Sequence, residues 1–290
     1  MRVIRGETFA ELYEHTLSSL IFDPEYITAP RGQKIKEITN CALVLEDPTQ
    51  NLFINDVRSV PLKYLAGELL WYFSERNDLK FISKFSSFWK KIANEDGTCN
   101  SAYGNLIFTG KEKSQFYWAY SKLVEDKDTR QSIMHFNKPE HQYEGNKDFV
   151  CTLIGTFQIR KNKLNFTIDM RSNDVFFGLT FDLPFFTMLQ QQMLKHLKET
   201  KYPDLELGTY THIAHSLHLY ERDLKTVESM LEETFRTSST PKIEKNLVNV
   251  YGKTSNSLLS IIEAIETNKF CFESDDFQER WLYENATNEA

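Results

Sequence analysis

The chain has 290 residues, of which 41% are hydrophobic and 26% charged, and its 11 Gly and 8 Pro are too few for long disordered or collagen-like stretches. Its formal net charge is −7, so we expect no direct nucleic-acid binding, because phosphate backbones bind positive surfaces. No apolar run approaches the roughly 18 residues of a membrane span, and no apolar stretch follows the first charged residues, so we expect a cytoplasmic protein with no signal peptide and no membrane partner.

The first half of the chain is predicted to contain helices and a strand. Apolar residues at helical spacing predict the helices, the first with Thr8 as its N-cap. The β-branched and apolar segment over residues 35–45 predicts the strand. The helices are predicted over residues 7–20, 61–74, 81–93 and 114–124.

The second half begins with a predicted β-hairpin over residues 149–170, whose two strands are joined around residues 161–163. Residues 183–200 predict a buried helix, and residues 217–234 predict a helix with an acidic outer face. The tail from Ser238 onward gives only a weak indication of strand and helix.

Strands and helices do not alternate regularly along the chain as they do in βαβ units. We therefore expect an α+β fold, in which helices cover a mixed or antiparallel sheet. The sequence shows no linker or repeat, so we expect a single domain over residues 1–290.

Polar and ionisable residues crowd the segment between the predicted hairpin and the buried helix. Arg171, Ser172, Asn173 and Asp174 follow one another there, and Asp182 comes shortly afterwards. Guanidinium and hydroxyl donors suit a phosphate group. An ordinary charged turn explains the same residues without a ligand, and spacing alone favours that interpretation.

Three histidines, His212, His215 and His218, stand three residues apart and suggest a metal site. Residues three apart face opposite sides of a strand and align poorly on a helix, and no other ligand motif accompanies them. We therefore expect no metal. A His and Tyr pair that binds sugar hydroxyls is at least as consistent with this segment.

The four cysteines, Cys41, Cys99, Cys151 and Cys271, are too widely spaced for a disulfide framework or a CxxC site, so we expect reduced thiols. A strand cysteine such as Cys151 is most often a small core hydrophobe. It becomes a nucleophile only where cationic neighbours stabilise its thiolate. The sequence has no glycine-rich phosphate loop, so a nucleotide would be bound by side chains.

The spacing of these residues over about 7–230 resembles that of the thymidylate synthases and their pyrimidine nucleotide hydroxymethylase relatives. Arg171 lies 20 residues after Cys151, and Ser172, Asp174 and Gly178 follow in the register of the family. Other residues that match its motifs are Arg31, Glu68 before Leu-Leu-Trp-Tyr-Phe, Trp89, the run from Asn100 to Gly104, the run from Asp128 to Arg130, and His218 with Tyr220.

The resemblance implies a thymidylate synthase-like fold that forms a homodimer through one face of its sheet. It implies that Cys151, Glu68 and Asp182 are catalytic, with Cys151 as the nucleophile. The implied cofactor is 5,10-methylenetetrahydrofolate, bound by Trp89, Asp174 and Gly178. The implied substrate is a pyrimidine nucleoside monophosphate, and the residues expected to bind it are Arg31, Arg171, Ser172, Asp182, His218, Tyr220 and Arg130 of the partner subunit.

Asp182 departs from the synthase pattern, which has Asn at this position to bind N3–H and O4 of uracil. A carboxyl group accepts from the 4-amino group of cytosine and, when protonated, donates to N3, whereas a carboxylate repels O4 of uracil. The resemblance is therefore strongest to the (deoxy)cytidylate 5-hydroxymethylases, and we expect 5-hydroxymethylation of dCMP or CMP. A thymidylate synthase that methylates dUMP is the alternative, and a catalytically silent nucleotide-binding relative is a minor one. Gln131 replaces a second arginine common after Arg130.

Overall fold

The computed structural model describes residues 1–268 and 272–288. Its helices are α1 (Phe9–Phe22), α2 (Leu62–Tyr72), α3 (Leu79–Ile82), α4 (Trp89–Ile92), α5 (Tyr103–Phe108), α6 (Gln115–Glu125), α7 (Leu179–Thr200), α8 (Leu224–Leu231), α9 (Asn256–Glu266) and α10 (Phe277–Thr287). Its strands are β1 (Arg2–Gly6), β2 (Tyr26–Thr28), β3 (Ile35–Leu45), β4 (Leu52–Ile54), β5 (Ile133–His135), β6 (Thr152–Arg160), β7 (Lys163–Met170), β8 (Asn173–Asp174), β9 (Glu206–Tyr220) and β10 (Arg236–Ser238).

The backbone forms two compact units, and each is built from three separate segments of the chain. The first unit consists of Met1–Val60, Cys151–Gln190 and Glu206–Thr240. The second unit consists of Pro61–Val150, Gln191–Leu205 and Pro241–Ala290. The single domain expected over residues 1–290 stays a prediction.

A mixed β-sheet forms the centre of the first unit. Its strands follow the order β1–β3–β9–β7–β6, with β2 on β3 and β8 on β9. The β3–β9 and β6–β7 pairs are antiparallel, whereas β7 and β9 are parallel. Along β9, Tyr210 and His212 are buried and Thr211 and Ile213 are partly exposed, so one face of the sheet carries the core. Helix α1 packs against β1 and β3. The expected α+β architecture with a mixed sheet is confirmed.

The hairpin β6–β7 turns where the sequence predicts it. Lys161 and Asn162 have φ angles of 50° and 60°, the left-handed values that a two-residue hairpin turn requires. A bulge at Leu153 shifts the register, so that Thr152 pairs with Met170. The residues that follow this last pair of the ladder, Cys151 and Arg171, therefore lie side by side.

The second unit is built around the apolar helix α2, most of which is buried. Helices α9 and α10 pack together, and α10 also packs on α2. Helix α5 approaches the end of α2 at Gly104, where a Cβ atom would lie 1.6 Å from the carbonyl oxygen of Tyr72, so only glycine permits this distance. No helix within residues 1–268 and 272–288 combines the length and the apolar character that a membrane crossing needs.

Most predicted elements of the first half are confirmed. Helix α1 begins after Thr8, whose hydroxyl accepts a hydrogen bond from the Glu11 amide as an N-cap. The predicted strand over residues 35–45 is β3, and the helices predicted over residues 61–74 and 114–124 are α2 and α6.

The helix predicted over residues 81–93 is wrong, because this segment forms the separate short helices α3 and α4. The Ser86 hydroxyl accepts a hydrogen bond from the Phe88 amide in the turn between them. Such a local side-chain bond competes with the helical pattern of backbone bonds. The spacing of apolar residues did not reveal this competition.

The helix predicted over residues 217–234 is also wrong in its first half. Strand β9 continues to Tyr220, which pairs with Ile35 of β3, and helix α8 begins only at Leu224. Leu217, His218 and Leu219 are all buried in this strand, so the alternation that marks a half-exposed strand is absent from the sequence. Pairing with β3 decides the conformation.

Candidate active site

The nucleophile predicted from the sequence, Cys151, lies directly beside Arg171 in the first unit. Their backbones continue the hairpin register, and the Arg171 amide donates to the Cys151 carbonyl oxygen at 2.9 Å. The guanidinium Nη2 of Arg171 lies 3.3 Å from Cys151 Sγ. A guanidinium at this distance is the kind of neighbour that stabilises a thiolate. The spacing of 20 residues therefore has a structural reason in the hairpin.

Cys41 and Cys99 have the properties of inert thiols. Both are buried, and burial raises the pKa of Cys41 to about 11 and that of Cys99 to about 12. Cys151 is partly exposed, and within the described part of the chain none of these three cysteines forms a disulfide bond. Cys271, also expected to be a reduced thiol, lies outside the described residues.

Asp174 is positioned by the short strand β8, which places it beside His218 of β9. Its Oδ1 accepts a hydrogen bond from the Phe176 amide at 2.9 Å. Burial raises the pKa of the Asp174 carboxyl above its ordinary range, and the charges of His218 and Arg222 oppose this change. The segment after the hairpin is thus hydrogen-bonded and partly buried, unlike an exposed charged turn.

Asp182 lies in the first turn of α7, three residues after the helix begins at Leu179. Its Oδ2 accepts a hydrogen bond from Asn173 Nδ2 at 2.7 Å. Burial raises the pKa of Asp182 from 3.8 to about 7, an effect that the Asn173 hydrogen bond opposes and the nearby Asp174 charge adds to. The helix predicted to begin at residue 183 begins four residues earlier, so Asp182 lies inside its first turn.

Gly178 allows the segment between β8 and α7 to fold tightly. Its amide donates to the Asp174 carbonyl oxygen at 2.8 Å, and its own carbonyl oxygen accepts from the Asp182 amide at 2.9 Å. A Cβ atom at this position would lie 2.9 Å from the Asp174 oxygen and 3.1 Å from Asn173 Nδ2. Gly178 therefore supports the site through close backbone approach.

The three histidines of β9 have different environments. His212 is fully buried, accepts or donates a hydrogen bond with the Tyr210 hydroxyl at 2.9 Å, and has its pKa lowered to about 3 by burial. His215 is on the opposite face, 3.0 Å from Asp169. His218 lies beside Tyr220, with ring centroids 5.1 Å apart. No cluster of potential metal ligands occurs among the described residues.

Glu68 belongs to a hydrogen-bonded group of aromatic residues in the second unit. Its Oε1 accepts from the hydroxyls of Tyr64 at 2.6 Å and Tyr72 at 3.3 Å. The Trp89 indole donates to the same Tyr64 hydroxyl at 3.0 Å. Tyr64 and Tyr72 were not among the predicted site residues, although positions four residues before and after Glu68 on one helix indicate contact with it.

Three of the expected substrate-binding residues take no part in the hydrogen bonds described above. Arg31 is exposed in the turn Pro30–Gly32, with φ of 51°. Ser172 is partly exposed. Arg130 is exposed on the second unit, where it borders a cavity of about 530 Å³ together with Trp118 and Gln131. All three side chains are accessible to solvent, and their roles in binding substrate stay predictions.

The comparison with protein families identifies the chain, because the family model described as thymidylate synthase matches residues 22–270. The chain belongs to the thymidylate synthase family. Members of this family are one-carbon transferases that use 5,10-methylenetetrahydrofolate, so the expected enzyme class and cofactor are confirmed.

Two phage enzymes are among the relatives of this chain. It is 27% identical over 250 residues to the deoxycytidylate 5-hydroxymethyltransferase of Enterobacteria phage T4, which covers 84% of this chain and 97% of that protein. It is 26% identical over 263 residues to the deoxyuridylate hydroxymethyltransferase of Bacillus phage SP01, with 84% of this chain and 67% of that protein covered.

A solved structure supports the same fold. Thermostable thymidylate synthase A from Bacillus subtilis superimposes with a TM-score of 0.66 at 18% identity, covering 85% of this chain and 92% of that one. The expectation of a thymidylate synthase-like fold is therefore confirmed.

The residues expected to hold the folate cofactor have suitable chemistry. Asp174 offers a carboxyl group with one oxygen bonded to a backbone amide, and such a group accepts hydrogen bonds from the amino groups of a pterin ring. Trp89 offers an indole in edge contact with Trp71, 5.0 Å between centroids. Each residue by itself has chemistry that suits a folate, a carboxyl acceptor in the first unit and an aromatic ring in the second.

Proposed function

We propose that this chain is a cytoplasmic, homodimeric (deoxy)cytidylate 5-hydroxymethyltransferase that acts on dCMP or CMP. The observation that carries the proposal is the carboxyl group of Asp182, whose pKa burial raises to about 7. A carboxyl group that is partly neutral near neutral pH has both a donor for N3 and an acceptor for the 4-amino group of cytosine. The similarity to the phage T4 deoxycytidylate enzyme supports the same assignment.

Cys151 is proposed to add to C6 of the base, which makes C5 nucleophilic. The Arg171 guanidinium, 3.3 Å from Sγ, supports this role by stabilising the thiolate before attack. Bound 5,10-methylenetetrahydrofolate supplies the one-carbon unit that C5 receives. Trp89, Asp174 and Gly178 are the residues proposed to hold it.

Glu68 is proposed to order the water that completes the hydroxymethyl group and to relay protons. Two tyrosine hydroxyls donate to its Oε1, which fixes the orientation of the carboxylate. Ordered donors of this kind keep a carboxylate in one position, which a water-positioning group needs.

The nucleotide is proposed to be held at both ends. Arg31, Arg171, Ser172 and Arg130 of the partner subunit would bind the phosphate, since guanidinium and hydroxyl donors match its oxygens. His218 and Tyr220 would bind the 3′-hydroxyl of the sugar. These contacts do not discriminate between ribose and deoxyribose.

The base preference is tested by comparing the wild-type enzyme with Asp182→Asn. The wild-type enzyme should have a higher kcat/KM with dCMP or CMP than with dUMP. Uracil would leave polar groups of the base and of Asp182 without hydrogen-bond partners. Asp182→Asn should lower kcat/KM for the cytidine nucleotide by roughly tenfold or more and raise the relative use of dUMP. The products formed with 5,10-methylenetetrahydrofolate, identified by mass spectrometry, give the reaction. A wild-type preference for dUMP would overturn the cytidylate assignment.

Deoxyuridylate is the second candidate substrate, with hydroxymethyl or methyl as the group formed at C5. The similarity to the phage SP01 deoxyuridylate enzyme, at 26% identity, favours it nearly as strongly as sequence similarity favours deoxycytidylate. The same product assay distinguishes the two, and formation of no product with any nucleotide would favour the catalytically silent relative.

A further inference from the structure

Asn173 is a buried residue whose amide is directed at Asp182. It is 2% exposed, and its Nδ2 donates to Asp182 Oδ2 at 2.7 Å. The amide nitrogen is the atom that faces the carboxyl group, and it can only donate. The absence of a side chain at Gly178 leaves the space that this amide occupies. The hydrogen bond therefore fixes Oδ2 as an acceptor.

A neutral carboxyl group can pair with either pyrimidine, depending on where its proton lies. Cytosine has an acceptor at N3 and a donor at its 4-amino group, whereas uracil has a donor at N3 and an acceptor at O4. A proton on the oxygen that meets N3 therefore suits cytosine. A proton on the oxygen that meets the 4-position suits uracil. Base choice depends on which oxygen of Asp182 carries the proton.

We propose that Asn173 is the specificity-determining positioning residue, because its amide keeps the proton of Asp182 on Oδ1, the oxygen facing N3, so that the pair selects cytosine. This inference rests on the proposed function. An oxygen that accepts a short hydrogen bond is the less favourable place for a proton. Within the described part of the chain, Oδ1 accepts no hydrogen bond, so it can carry the proton that is donated to N3. Oδ2 keeps a second lone pair, with which it can accept from the 4-amino group of cytosine.

The environment of Asn173 gives no other reason for an amide at this position. Its Oδ1 is buried and has no hydrogen-bond partner within residues 1–268 and 272–288. A buried polar atom without a partner lowers stability relative to an apolar side chain of the same shape. The Asn173 amide provides a hydrogen-bond donor to Asp182 and a longer contact to the Met170 sulfur.

The test compares Asn173→Ala, which removes the donor, with Asn173→Ser, which keeps a hydroxyl donor. Affinity for dCMP and dUMP is measured by calorimetry on the whole chain without folate, and kcat/KM is then measured for both nucleotides. Asn173→Ala should reduce the ratio of dCMP to dUMP affinity by roughly tenfold or more, and Asn173→Ser by less. Asn51→Ala is the matched control: Asn51 is a buried asparagine bonded to Thr187 and Thr240, so its loss should lower thermal stability and leave the ratio unchanged.

The outcomes separate this inference from the proposed function. A wild-type enzyme that binds dUMP better than dCMP overturns the proposed function and the inference together. A wild-type preference for dCMP that Asn173→Ala leaves unchanged overturns the inference alone. An equal change of the ratio in Asn51→Ala would also overturn it, because the effect would then be a general loss of structure.

Discussion

Burial sets the charge state of single side chains in and around this site. It raises the pKa of Asp182 to about 7 and lowers that of His212 to about 3, because a low-dielectric environment disfavours the charged form of each group. Asp182 is therefore partly neutral near neutral pH, and His212 is uncharged. Sequence position alone gives no indication of either state.

The raised pKa of Asp182 makes stability depend on pH. The folded chain retains this proton from the ordinary value of 3.8 up to about 7, whereas the unfolded chain has released it. The folded state is therefore stabilised at low pH, and about 4 kcal/mol of this contribution is lost as the pH rises through that window. Chemical unfolding of wild type and Asp182→Asn between about pH 4 and about pH 7 should show a steeper loss of stability in wild type, and the difference between the two proteins is the contribution of Asp182. A difference between the two that does not vary with pH would contradict the assignment.

The role of Cys151 is tested by Cys151→Ser. Turnover should fall by roughly a thousandfold or more, because the serine hydroxyl is a far weaker nucleophile than a thiolate, while nucleotide affinity is largely retained. Cys99→Ala is the control, since Cys99 is buried and its pKa is raised by burial to about 12. Near-normal turnover of Cys151→Ser, or an essential Cys99, would show that the nucleophile is misassigned.

At the scale of elements, helix α2 places Glu68 between two tyrosines, one turn away on each side. The shorter hydrogen bond, 2.6 Å from Tyr64, should contribute more to the position of the carboxylate than the 3.3 Å bond from Tyr72. Tyr64 also accepts from the Trp89 indole, so it connects two residues of the proposed site.

The paired variants Tyr64→Phe and Tyr72→Phe test this arrangement. Tyr64→Phe should lower kcat by roughly tenfold, because it removes the strong donor to Glu68, and Tyr72→Phe by less than about threefold. Both variants keep the aromatic ring, so their melting temperatures serve as the control for packing. Equal effects of the two, or a larger effect of Tyr72→Phe, would contradict the proposed orientation of Glu68.

At the scale of the whole molecule, the proposed homodimer places Arg130 in the site of the other subunit. Arg130 is exposed on its own chain, as a residue that reaches a partner must be. Cys151→Ser and Arg130→Ala should each be nearly inactive alone. When the two are mixed and allowed to exchange subunits, one site of each mixed dimer has both groups intact, so activity should return to about a quarter of wild type. No recovery in a mixture that sedimentation shows to be mixed dimers would exclude the shared site.

The sequence by itself determined the broad fold, the family and the spacing of the candidate catalytic residues. Hydrophobic periodicity located α1, β3, α2 and the hairpin, because each of these elements has one buried face or a specific turn. The spacing from Cys151 to Arg171 also has a local cause, since both flank a single hairpin whose register fixes their distance.

Tertiary structure alone decided the features that depend on distant partners. Residues 217–220 form a strand because β3 pairs with β9 from Tyr210 to Tyr220, and no local pattern encodes that partner. The contact of Asn173 with Asp182 joins β8 to α7, whose start four residues earlier than predicted follows from the tight turn at Gly178. The proton affinity of Asp182 depends on the atoms that surround it in the folded chain, because desolvation is a property of the environment and not of the residue.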